Sequence, residues 1–557
     1  LPQSSIFSGR PDDTSPATTH TELHGKQPAT PRATACLARE MGVPAMTHLN
    51  DMGIVGGGPS AVCLLDALAR TDSAPGGITV FEPSPHLWRG RPFRPDMRTA
   101  RVNLPPEGMS VRFGDTGHFQ RWLESRDRMT GSGADHADPF SGARFVPRTV
   151  FGDYLEQSAH AALRRLRERG WRIDLIRQRV DSATPGVDRV TLQTARGRRV
   201  TVGRAVLCVG AGRPADTYSL AGAPGFVRDP YPLSSRLTGI DTTREVGVIG
   251  SGLTAVDVVL ALAARGHHGR IRLLSRSGVL PGVRQRPVRY LLRHFTPEKF
   301  RAAAARNETV TLDQLIATMR TELADAGENL GSVATEIAAV GREDPVRLLR
   351  RQLGEVDSPS LALRILQRAV PATGPDVWPL LPERDKADLL RWHYRRLMSL
   401  CCPMPPASAA TLLELLDSGQ LEITPGIRHI KASTGGGFTI MADGGEYPAD
   451  VVINAANAAA RGIPPRARPL IASLVAAGVA DRHPRGGLHV QRATSQLIVG
   501  GAADPRLYAL GDLAAGSLFF TFGLSALVDR AQDIVTAVLD DPRAVMSARL
   551  DPVLHSV

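Results

Sequence analysis

Apolar and polar residues follow one another along this chain in blocks that are typical of an α/β protein. Residues 52–55 form an apolar run of strand length, residues 62–70 have apolar positions at helical spacing, and residues 78–81 form a second apolar run. Short apolar runs of this kind are typical of strands buried on both faces of a parallel sheet. The pattern therefore predicts a strand, a helix and a second, parallel strand.

The same order of elements occurs again further along the chain. Residues 246–249 and 271–274 are the apolar runs, and residues 256–264 form the helical pattern between them. Repetition of one unit within a single chain supports both assignments. We therefore expect two domains, each built on a parallel sheet.

The region between residues 296 and 420 has few strand signals and is predicted to be a helical insertion that covers a cleft. Apolar residues at helical spacing predict helices over residues 312–326, 346–353, 361–370, 385–400 and 409–418. Strand patterns return at residues 421–427, 437–441 and 451–455. Before the second repeat, helices are expected over 118–126 and 152–169 and a β-hairpin over 187–202.

These elements predict a domain organisation in six segments. Residues 1–45 are rich in Pro, Thr, Ser and Gly and lack apolar periodicity, so we expect a disordered extension, with Met46 as a sensible start of the folded part. The remaining segments are the first domain over 46–235, the second over 236–295, the helical insertion over 296–420, a return to the first domain over 421–545 and a tail over 546–557. The apolar run at 451–455 resembles the one at 206–209 and is expected to carry the chain back to the first domain.

Composition narrows the class of protein. The chain has 557 residues, of which 42% are hydrophobic and 22% charged, and these values are ordinary for a globular protein with two or three domains. No apolar run approaches the roughly 18 residues of a membrane helix. The net charge of +12 comes almost wholly from arginines, which are scattered rather than clustered with aromatic residues. We therefore expect neither nucleic acid nor membrane as a partner, and an anionic cofactor or substrate instead.

Cysteine usage argues against a disulfide reductase and suits a reducing cytoplasm. The five cysteines are Cys36, Cys63, Cys208, Cys401 and Cys402. They form no C-x-x-C motif, and we expect the adjacent pair to be two buried thiols rather than a strained vicinal disulfide. No metal site is predicted.

A glycine-rich turn follows the first apolar run and has the pattern G-x-G-x-x-A. Its residues are Gly56, Gly58, Pro59, Ser60 and Ala61. The first glycine permits the tight turn, the second lets the backbone approach a pyrophosphate, and the alanine allows close packing of helix on strand. Glu82, at the end of the second run, is placed to accept hydrogen bonds from an adenosine ribose. These features predict a dinucleotide site, and a glycine turn in another kind of α/β domain is the alternative.

The second repeat contains another G-x-G-x-x-A turn, with Gly250, Gly252, Leu253 and Thr254 as its candidate binding residues. Its second apolar run ends differently, because Arg276 between two serines stands where the first repeat has an acid. A carboxylate would repel a 2′-phosphate, whereas an arginine binds one. The second nucleotide is therefore predicted to be NADPH rather than NADH. The alternative for Arg276 is an ordinary surface arginine.

Near the end of the chain, an apolar run stops at Gly511-Asp512, and Phe522 lies just before a helical pattern over 524–539. In FAD proteins the aspartate of such a motif bonds the ribityl chain, and the helix N-terminus points its dipole towards the flavin. Gly-Asp alone is a common dipeptide. After an N-terminal G-x-G-x-x-A it favours FAD as the first ligand.

Taken together, the two turns, the apolar strand at 206–212 and Gly511-Asp512 resemble the two-dinucleotide-binding-domain flavoproteins, from about Met46 to Leu539. The segments 90–96, 103–111 and 145–154 are similar to the N-hydroxylating flavin monooxygenases. In length and helical insertion the chain resembles the bacterial aspartate N-hydroxylases that form nitrosuccinate. The F-x-G-x-x-x-H-x-x-x-W-P-type fingerprint of Baeyer–Villiger monooxygenases is missing, so carbonyl insertion is not expected.

The resemblance implies a fold with two Rossmann-like dinucleotide-binding domains, one for FAD and one for NADPH. It also implies that the loop after the second strand lies over the isoalloxazine ring, with candidate residues Trp88, Arg91, Asn103, Leu104 and Met109; a surface loop is the alternative. The implied reaction is N-hydroxylation of a small amine by O2 through a C4a-hydroperoxyflavin, extending to L-aspartate and its successive oxidation to nitrosuccinate. No acid–base triad is expected, and no catalytic side chain is predicted.

An acidic amino-acid substrate would need cationic partners. The candidates follow the second repeat and are Arg284, Arg286, Arg289 and Arg293, for which a solvent-facing basic stripe is the alternative. Two other functions stay open, namely an NAD(P)H-dependent flavin oxidase or reductase without substrate oxygenation, and a flavin-bound sensor or scaffold. An oligomer is compatible with either.

Overall fold

The computed structural model describes residues 51–131, 136–456 and 462–541. The expected extension over 1–45, the tail over 546–557 and Cys36 lie outside these residues. The other four cysteines are free thiols; Cys401 is buried as expected, whereas Cys402 is half-buried. No helix in the described ranges is both long and apolar enough to cross a membrane.

The strands, numbered in chain order, are short. They are β1 Met52–Val55, β2 Gly77–Phe81, β3 Arg172–Ile176, β4 Val180–Pro185, β5 Val190–Thr194, β6 Arg199–Val202, β7 Arg204–Leu207, β8 Phe226–Val227, β9 Val246–Ile249, β10 Ile271–Leu274, β11 Leu421–Thr424, β12 His429–Ala432, β13 Phe438–Ala442, β14 Gly445–Ala449, β15 Val451–Asn454, β16 Gln496–Val499 and β17 Ala502–Ala509.

The α-helices include several long amphipathic ones. They are α1 Pro59–Leu68, α2 His118–Thr130, α3 Arg148–Glu168, α4 Leu233–Arg236, α5 Leu253–Ala264, α6 Pro297–Ala305, α7 Leu312–Asp325, α8 Leu330–Ala339, α9 Pro345–Gly354, α10 Ala362–Val377, α11 Glu383–Asp388, α12 Tyr394–Cys401, α13 Pro406–Asp417, α14 Arg468–Ala476, α15 Ala515–Leu518 and α16 Leu524–Leu539. A π-helical turn, Leu389–His393, joins α11 to α12.

The first sheet has the order β16-β17-β7-β1-β2-β3. All neighbours pair in parallel except the edge strand β16, which is antiparallel to β17. All four residues of β1 are buried, which explains its continuous apolar sequence. Helices α1, α3 and α16 cover one face and share a core with the strands.

The second sheet is wholly parallel, with the order β11-β10-β9-β15-β8. Two small antiparallel sheets, β4-β5-β6 and β12-β13-β14, complete the strands. The predicted α/β fold with two Rossmann-like sheets is therefore confirmed. The expected hairpin over 187–202 is two strands of the first small sheet.

Two predicted domain boundaries are wrong. Strands β11 and β15 pair with β10 and β9, so the chain stays in the second sheet at residue 421, where a return to the first was expected. Strand β8 pairs with β15, so the second sheet also begins before residue 236. The physical reason is that buried parallel strands have the same apolar pattern in either sheet, and pairing alone decides which sheet they join.

Most of the helices α6–α12 enclose a core of their own, in the region where an insertion was predicted. Helix α10 continues through Pro371 and Pro375 to Val377, beyond the predicted end at residue 370. Helices α6 and α8 were not predicted. Helix α8 buries one apolar side chain, Val333, and so lacks a clear apolar stripe. The capping box of Thr311 and Gln314 fixes the start of α7.

Candidate functional site

The first glycine turn joins β1 to α1, and its backbone packs directly against the backbone of other segments. Gly56 has φ +110°, and a Cβ there would lie 2.2 Å from the carbonyl oxygen of Cys208. A Cβ on Gly58 would lie 3.3 Å from Cα of Gly90. Gly58 is also the N-cap of α1 and offers no side chain to its free N–H groups. The turn therefore leaves helix N–H groups available to an anion, as the phosphate-binding pattern predicts.

The other members of the turn contribute in different ways. Pro59 begins α1, where its missing N–H costs no hydrogen bond, and Ser60 and Ala61 are buried. Glu82 follows β2, and its carboxylate accepts N–H groups from Gly57 at 2.9 Å and Ser84 at 2.7 Å. Glu82 thus braces the glycine turn. Each carboxylate oxygen keeps a second lone pair for a hydroxyl donor.

The loop after β2 contains an indole that lacks a partner. Trp88 is buried with φ +72°, and its backbone N–H donates to the carbonyl oxygen of Gly57 at 2.7 Å. Its Nε1–H has no acceptor among the described residues. A buried unpaired donor costs about 1–3 kcal/mol. A ligand acceptor beside the glycine turn would remove this cost.

Arg91, predicted to contact the flavin, has protein partners. Its guanidinium lies 2.5 Å from the carboxylate of Asp229 and 5.1 Å from the ring centre of Tyr231. Its contact with a nucleotide therefore stays a prediction.

An arginine that sequence reasoning missed lies in the same loop. Arg94 donates from Nε to the carbonyl oxygen of Gly90 at 3.2 Å, and within the described ranges it forms no ion pair with a carboxylate. Burial lowers its pKa below the usual value, against the opposing effect of Glu82. A cavity of about 110 Å³ beside it is also lined by Arg213 and Arg466. No local signal could identify these arginines, because they meet only in the folded chain.

The Gly511-Asp512 dipeptide lies against the first glycine turn, and its predicted contact with a flavin stays a prediction. Gly511 has φ +93°, and a Cβ there would lie 3.3 Å from Oγ of Ser60. Burial raises the pKa of Asp512 to about 6. Its carboxylate accepts no hydrogen bond from another described residue. Nearby in sequence, the hydroxyl of Thr521 is buried and has no hydrogen-bond partner among the described residues. The next residue, Phe522, is 49% exposed.

The segment that begins at Asn103 links the first domain to the end of α12. Asn103 donates from Nδ2 to the carbonyl oxygen of Pro403 at 3.3 Å, and its own carbonyl accepts Nε–H of Arg284 at 2.7 Å. Leu104 and Met109 pack on the first core, so the predicted surface-loop alternative does not describe them.

The second glycine turn is built like the first. Gly250 has φ +113°, and a Cβ there would lie 2.9 Å from the carbonyl oxygen of Ala455. Gly252 is the N-cap of α5 and has open space where a Cβ would be, and Leu253 and Thr254 begin the helix half-buried. Arg276 follows β10 and is exposed. Both predicted turns are therefore present, each at the carboxyl end of a parallel strand.

The four candidate substrate arginines differ in burial. Arg286 is exposed and lies 2.5 Å from the carboxylate of Asp357, and Arg289 and Arg293 are exposed. Arg284 alone is buried, with no carboxylate partner among the described residues. Burial lowers its pKa to about 10, so it remains a cation at neutral pH. No cluster of metal-binding side chains occurs in the ranges that the structure covers.

Comparison with known proteins agrees with this geometry. Residues 53–212, from within β1 to the loop after β7, match a family described as FAD-NAD(P)-binding. This segment is therefore an FAD-NAD(P)-binding domain. No curated protein sequence matches the chain.

Several solved structures share the whole architecture. The Kutzneria sp. 744 ornithine N-hydroxylase, solved with reduced FAD, NADP+ and L-ornithine, is 15% identical, and the match covers 88% of this chain and 99% of that one with a TM-score of 0.52. The reduced ornithine hydroxylase of Pseudomonas aeruginosa is also 15% identical, and the match covers 89% of this chain and 99% of that one with a TM-score of 0.53. The L-lysine 6-monooxygenase of Pseudomonas syringae is 16% identical, and the match covers 89% of this chain and 99% of that one with a TM-score of 0.53. At these identities the likeness establishes the fold.

Proposed function

We propose that the protein is a flavin-dependent monooxygenase that uses FAD, NADPH and O2 to hydroxylate the nitrogen of a small amine. The observation that supports the proposal is the presence of two glycine turns of the phosphate-binding pattern in one chain, whose fold is similar over 88% of its length to that of an ornithine N-hydroxylase. An NAD-dependent dehydrogenase would need only one such turn.

The residues around the first turn fit FAD. Gly56, Gly58 and the N-terminus of α1 would hold the pyrophosphate, and Glu82 the adenosine ribose. Asp512 would accept a ribityl hydroxyl, which supplies the hydrogen bond that its carboxylate lacks within the described chain. When bound, FAD accepts a hydride from NADPH and activates O2 for transfer of one oxygen atom to the amine.

The second turn would hold NADPH, with Gly250 and Gly252 at the pyrophosphate and Arg276 at the 2′-phosphate. The helices α6–α12 would exclude water from the space between the two coenzymes. Water exclusion protects reactive species and strengthens the electrostatic interactions inside a site. The protein's contribution is therefore positioning and enclosure, and no side chain is assigned to proton transfer.

Arg284 favours an amine that carries a carboxylate, such as L-aspartate, whose successive oxidation would give nitrosuccinate. A buried guanidinium without a counter-ion is costly, and a substrate carboxylate would offset that cost. Arg284 contacts the Asn103 segment, which the family resemblance places beside the flavin ring.

The test is a screen of amino acids and polyamines with the purified protein under 18O2. We expect a yellow protein that oxidises NADPH faster with its amine, and a product that is heavier by one labelled oxygen per NADPH. NADPH oxidation that releases only hydrogen peroxide with every amine would favour an oxidase or reductase. A colourless protein that does not take up FAD would overturn the proposal.

A further inference from the structure

The loop after β10 is contacted by a second arginine that comes from the helical region. Arg395, in α12, donates from Nη1 to Oγ of Ser277 at 2.8 Å. Ser277 follows Arg276 directly, so a distant part of the chain brings a second guanidinium to the predicted coenzyme loop. Ser275 holds the loop closed by accepting the N–H of Gly278 at 2.8 Å.

The Arg276 and Arg395 side chains are both exposed, and they lie near enough for the charge of Arg276 to act on Arg395. Within the described chain, neither Arg276 nor Arg395 forms an ion pair with a carboxylate. Burial lowers the pKa of Arg395, and the nearby charge of Arg276 lowers it further. Two cations held this close repel each other, and an anion placed between them would offset the repulsion.

The position of the pair identifies the anion. In a dinucleotide-binding unit, the residues after the second strand face the 2′-position of the adenosine ribose. Strand β10 is the second strand of this unit, and Arg276 and Ser277, the residue that Arg395 contacts, follow it closely in the chain. A phosphate monoester on that ribose would therefore meet both guanidinium groups.

We propose that Arg395 is the second binding residue for the 2′-phosphate of the coenzyme, together with Arg276. The inference rests on the proposed use of NADPH. It adds that a side chain outside the nucleotide-binding sheet sets the preference for NADPH over NADH. It also means that the coenzyme ties α12 to the loop after β10.

The competing explanation is that Arg395 only fastens α12 to the loop through Ser277. Ligand binding separates the two, because a structural tie affects nucleotides with and without a 2′-phosphate alike. Arg391 is the matched control: it precedes Arg395 by one helical turn, is exposed and lies 4.5 Å from the ring centre of Trp392.

The experiment is calorimetric titration of the full-length, FAD-loaded protein with adenosine 2′,5′-bisphosphate and with 5′-AMP. Replacing Arg395 with alanine (R395A) should raise the Kd for the bisphosphate about tenfold, because one charge-assisted contact is lost, and leave the Kd for 5′-AMP unchanged. R395K should recover part of the loss, and R391A should bind both ligands like the wild type. Thermal unfolding checks that R395A is folded.

Three outcomes would overturn the inference in different ways. Wild-type protein that prefers the bisphosphate, together with R395A that keeps the same preference, would remove Arg395 from the site and leave NADPH use intact. Wild-type protein that binds both ligands equally would contradict a 2′-phosphate site altogether, and with it the proposed coenzyme. An equal loss for both ligands in R395A would support the structural tie.

Discussion

At the scale of single residues, burial separates Arg284 from its neighbours. The sequence offers four arginines in one segment with nothing to distinguish them, and only the fold shows that three face solvent while one lies under the Asn103 segment. The sequence therefore offered a group of candidates for an acidic ligand, and that role stays a prediction. It could not rank them, because burial depends on contacts with Asn103 that are remote in sequence.

Replacing Arg284 with leucine should raise KM for a carboxylated amine by about ten- to a hundredfold, since a charge-assisted hydrogen bond is lost. KM for NADPH should stay the same. Steady-state kinetics with a diamine that lacks a carboxylate provides the comparison, because its KM should not rise. Arg289→Ala is the matched control on an exposed residue. An equal rise in KM for both amines would argue against a carboxylate contact.

Asp512 gives a prediction about pH. Because burial raises its pKa to about 6, the folded protein holds this proton more tightly than the unfolded chain, whose aspartate titrates near about 4. The associated stability is fully present below about pH 4 and is lost as pH rises through about 6. Flavin-free Asp512→Asn protein should therefore be more stable than wild type at pH 8, by about 3 kcal/mol, with no advantage at pH 4.

Chemical denaturation of the flavin-free proteins at the two pH values measures this difference. The same variant should bind FAD more weakly, because an amide is a poorer acceptor for a ribityl hydroxyl than a carboxylate. Lower stability of the variant at pH 8 would show that the carboxylate is stabilised by a partner in the folded protein.

At the scale of elements, local chemistry decided which predictions succeeded. The two glycine turns were predictable because φ values of +110° and +113° and close backbone contacts restrict those positions to glycine. The sheet membership of β15 was not predictable, since its buried apolar residues fit a central strand of either sheet. Helix α10 passes two prolines because its other residues pack on the helical core, and tertiary packing of this kind overrides local propensity.

Helix α7 shows how one carboxylate can organise a neighbouring segment. Glu322 is fully buried and accepts the N–H groups of Arg293, His294 and Phe295 at 2.6–3.1 Å. Burial alone would raise its pKa, but these hydrogen bonds outweigh burial and hold the pKa of Glu322 below its usual value. The stability that it contributes is therefore present at neutral pH and is lost as pH falls through that lowered pKa.

Glu322→Gln should loosen this segment. The glutamine amide keeps one acceptor oxygen, but its NH2 group would face backbone N–H groups that are themselves donors. We expect a local cost of about 2 kcal/mol, and amide hydrogen exchange at residues 293–295 that is about thirtyfold faster. Exchange measured by mass spectrometry at pH 7 tests this. Glu308→Gln, on an exposed side chain paired with Arg306, is the control and should leave these amides unchanged. Unchanged exchange in Glu322→Gln would mean that the three N–H groups have other acceptors.

At the scale of the whole molecule, a buried polar network joins the two nucleotide-binding units. Asp257 lies on α5 of the second unit, and its carboxylate is 2.7 Å from the guanidinium of Arg148, at the start of α3 in the first. The Tyr231 hydroxyl donates to Asp257 and accepts Nη1–H of Arg148 at 2.6 Å. The ring of Tyr231 also lies beside Arg91. The network therefore connects the domain that contains the first glycine turn to the domain that contains the second.

Asp257→Asn should destabilise the protein by about 3 kcal/mol, because a buried arginine would lose its counter-ion. A lower urea midpoint measures this loss, and slower reduction of the flavin by NADPH would report the changed position of the two units. Asp417→Asn removes an exposed partner of Arg350 and should cost less than about 1 kcal/mol. Equal effects of the two substitutions would show that burial of the Asp257 pair has no energetic consequence.

Strand β17 has a consequence for how this protein is made. It becomes the parallel neighbour of β7 only after the chain has completed the second sheet and all the helices between them. During synthesis, the edge of β7 that later pairs with β17 is therefore unpaired, and such edges can bind strands of other nascent chains. Gly511 is missing for the same period, so the proposed FAD site is also incomplete while this edge is open. We expect slow translation at low temperature, or a chaperone that shields this edge, to raise the yield of folded protein.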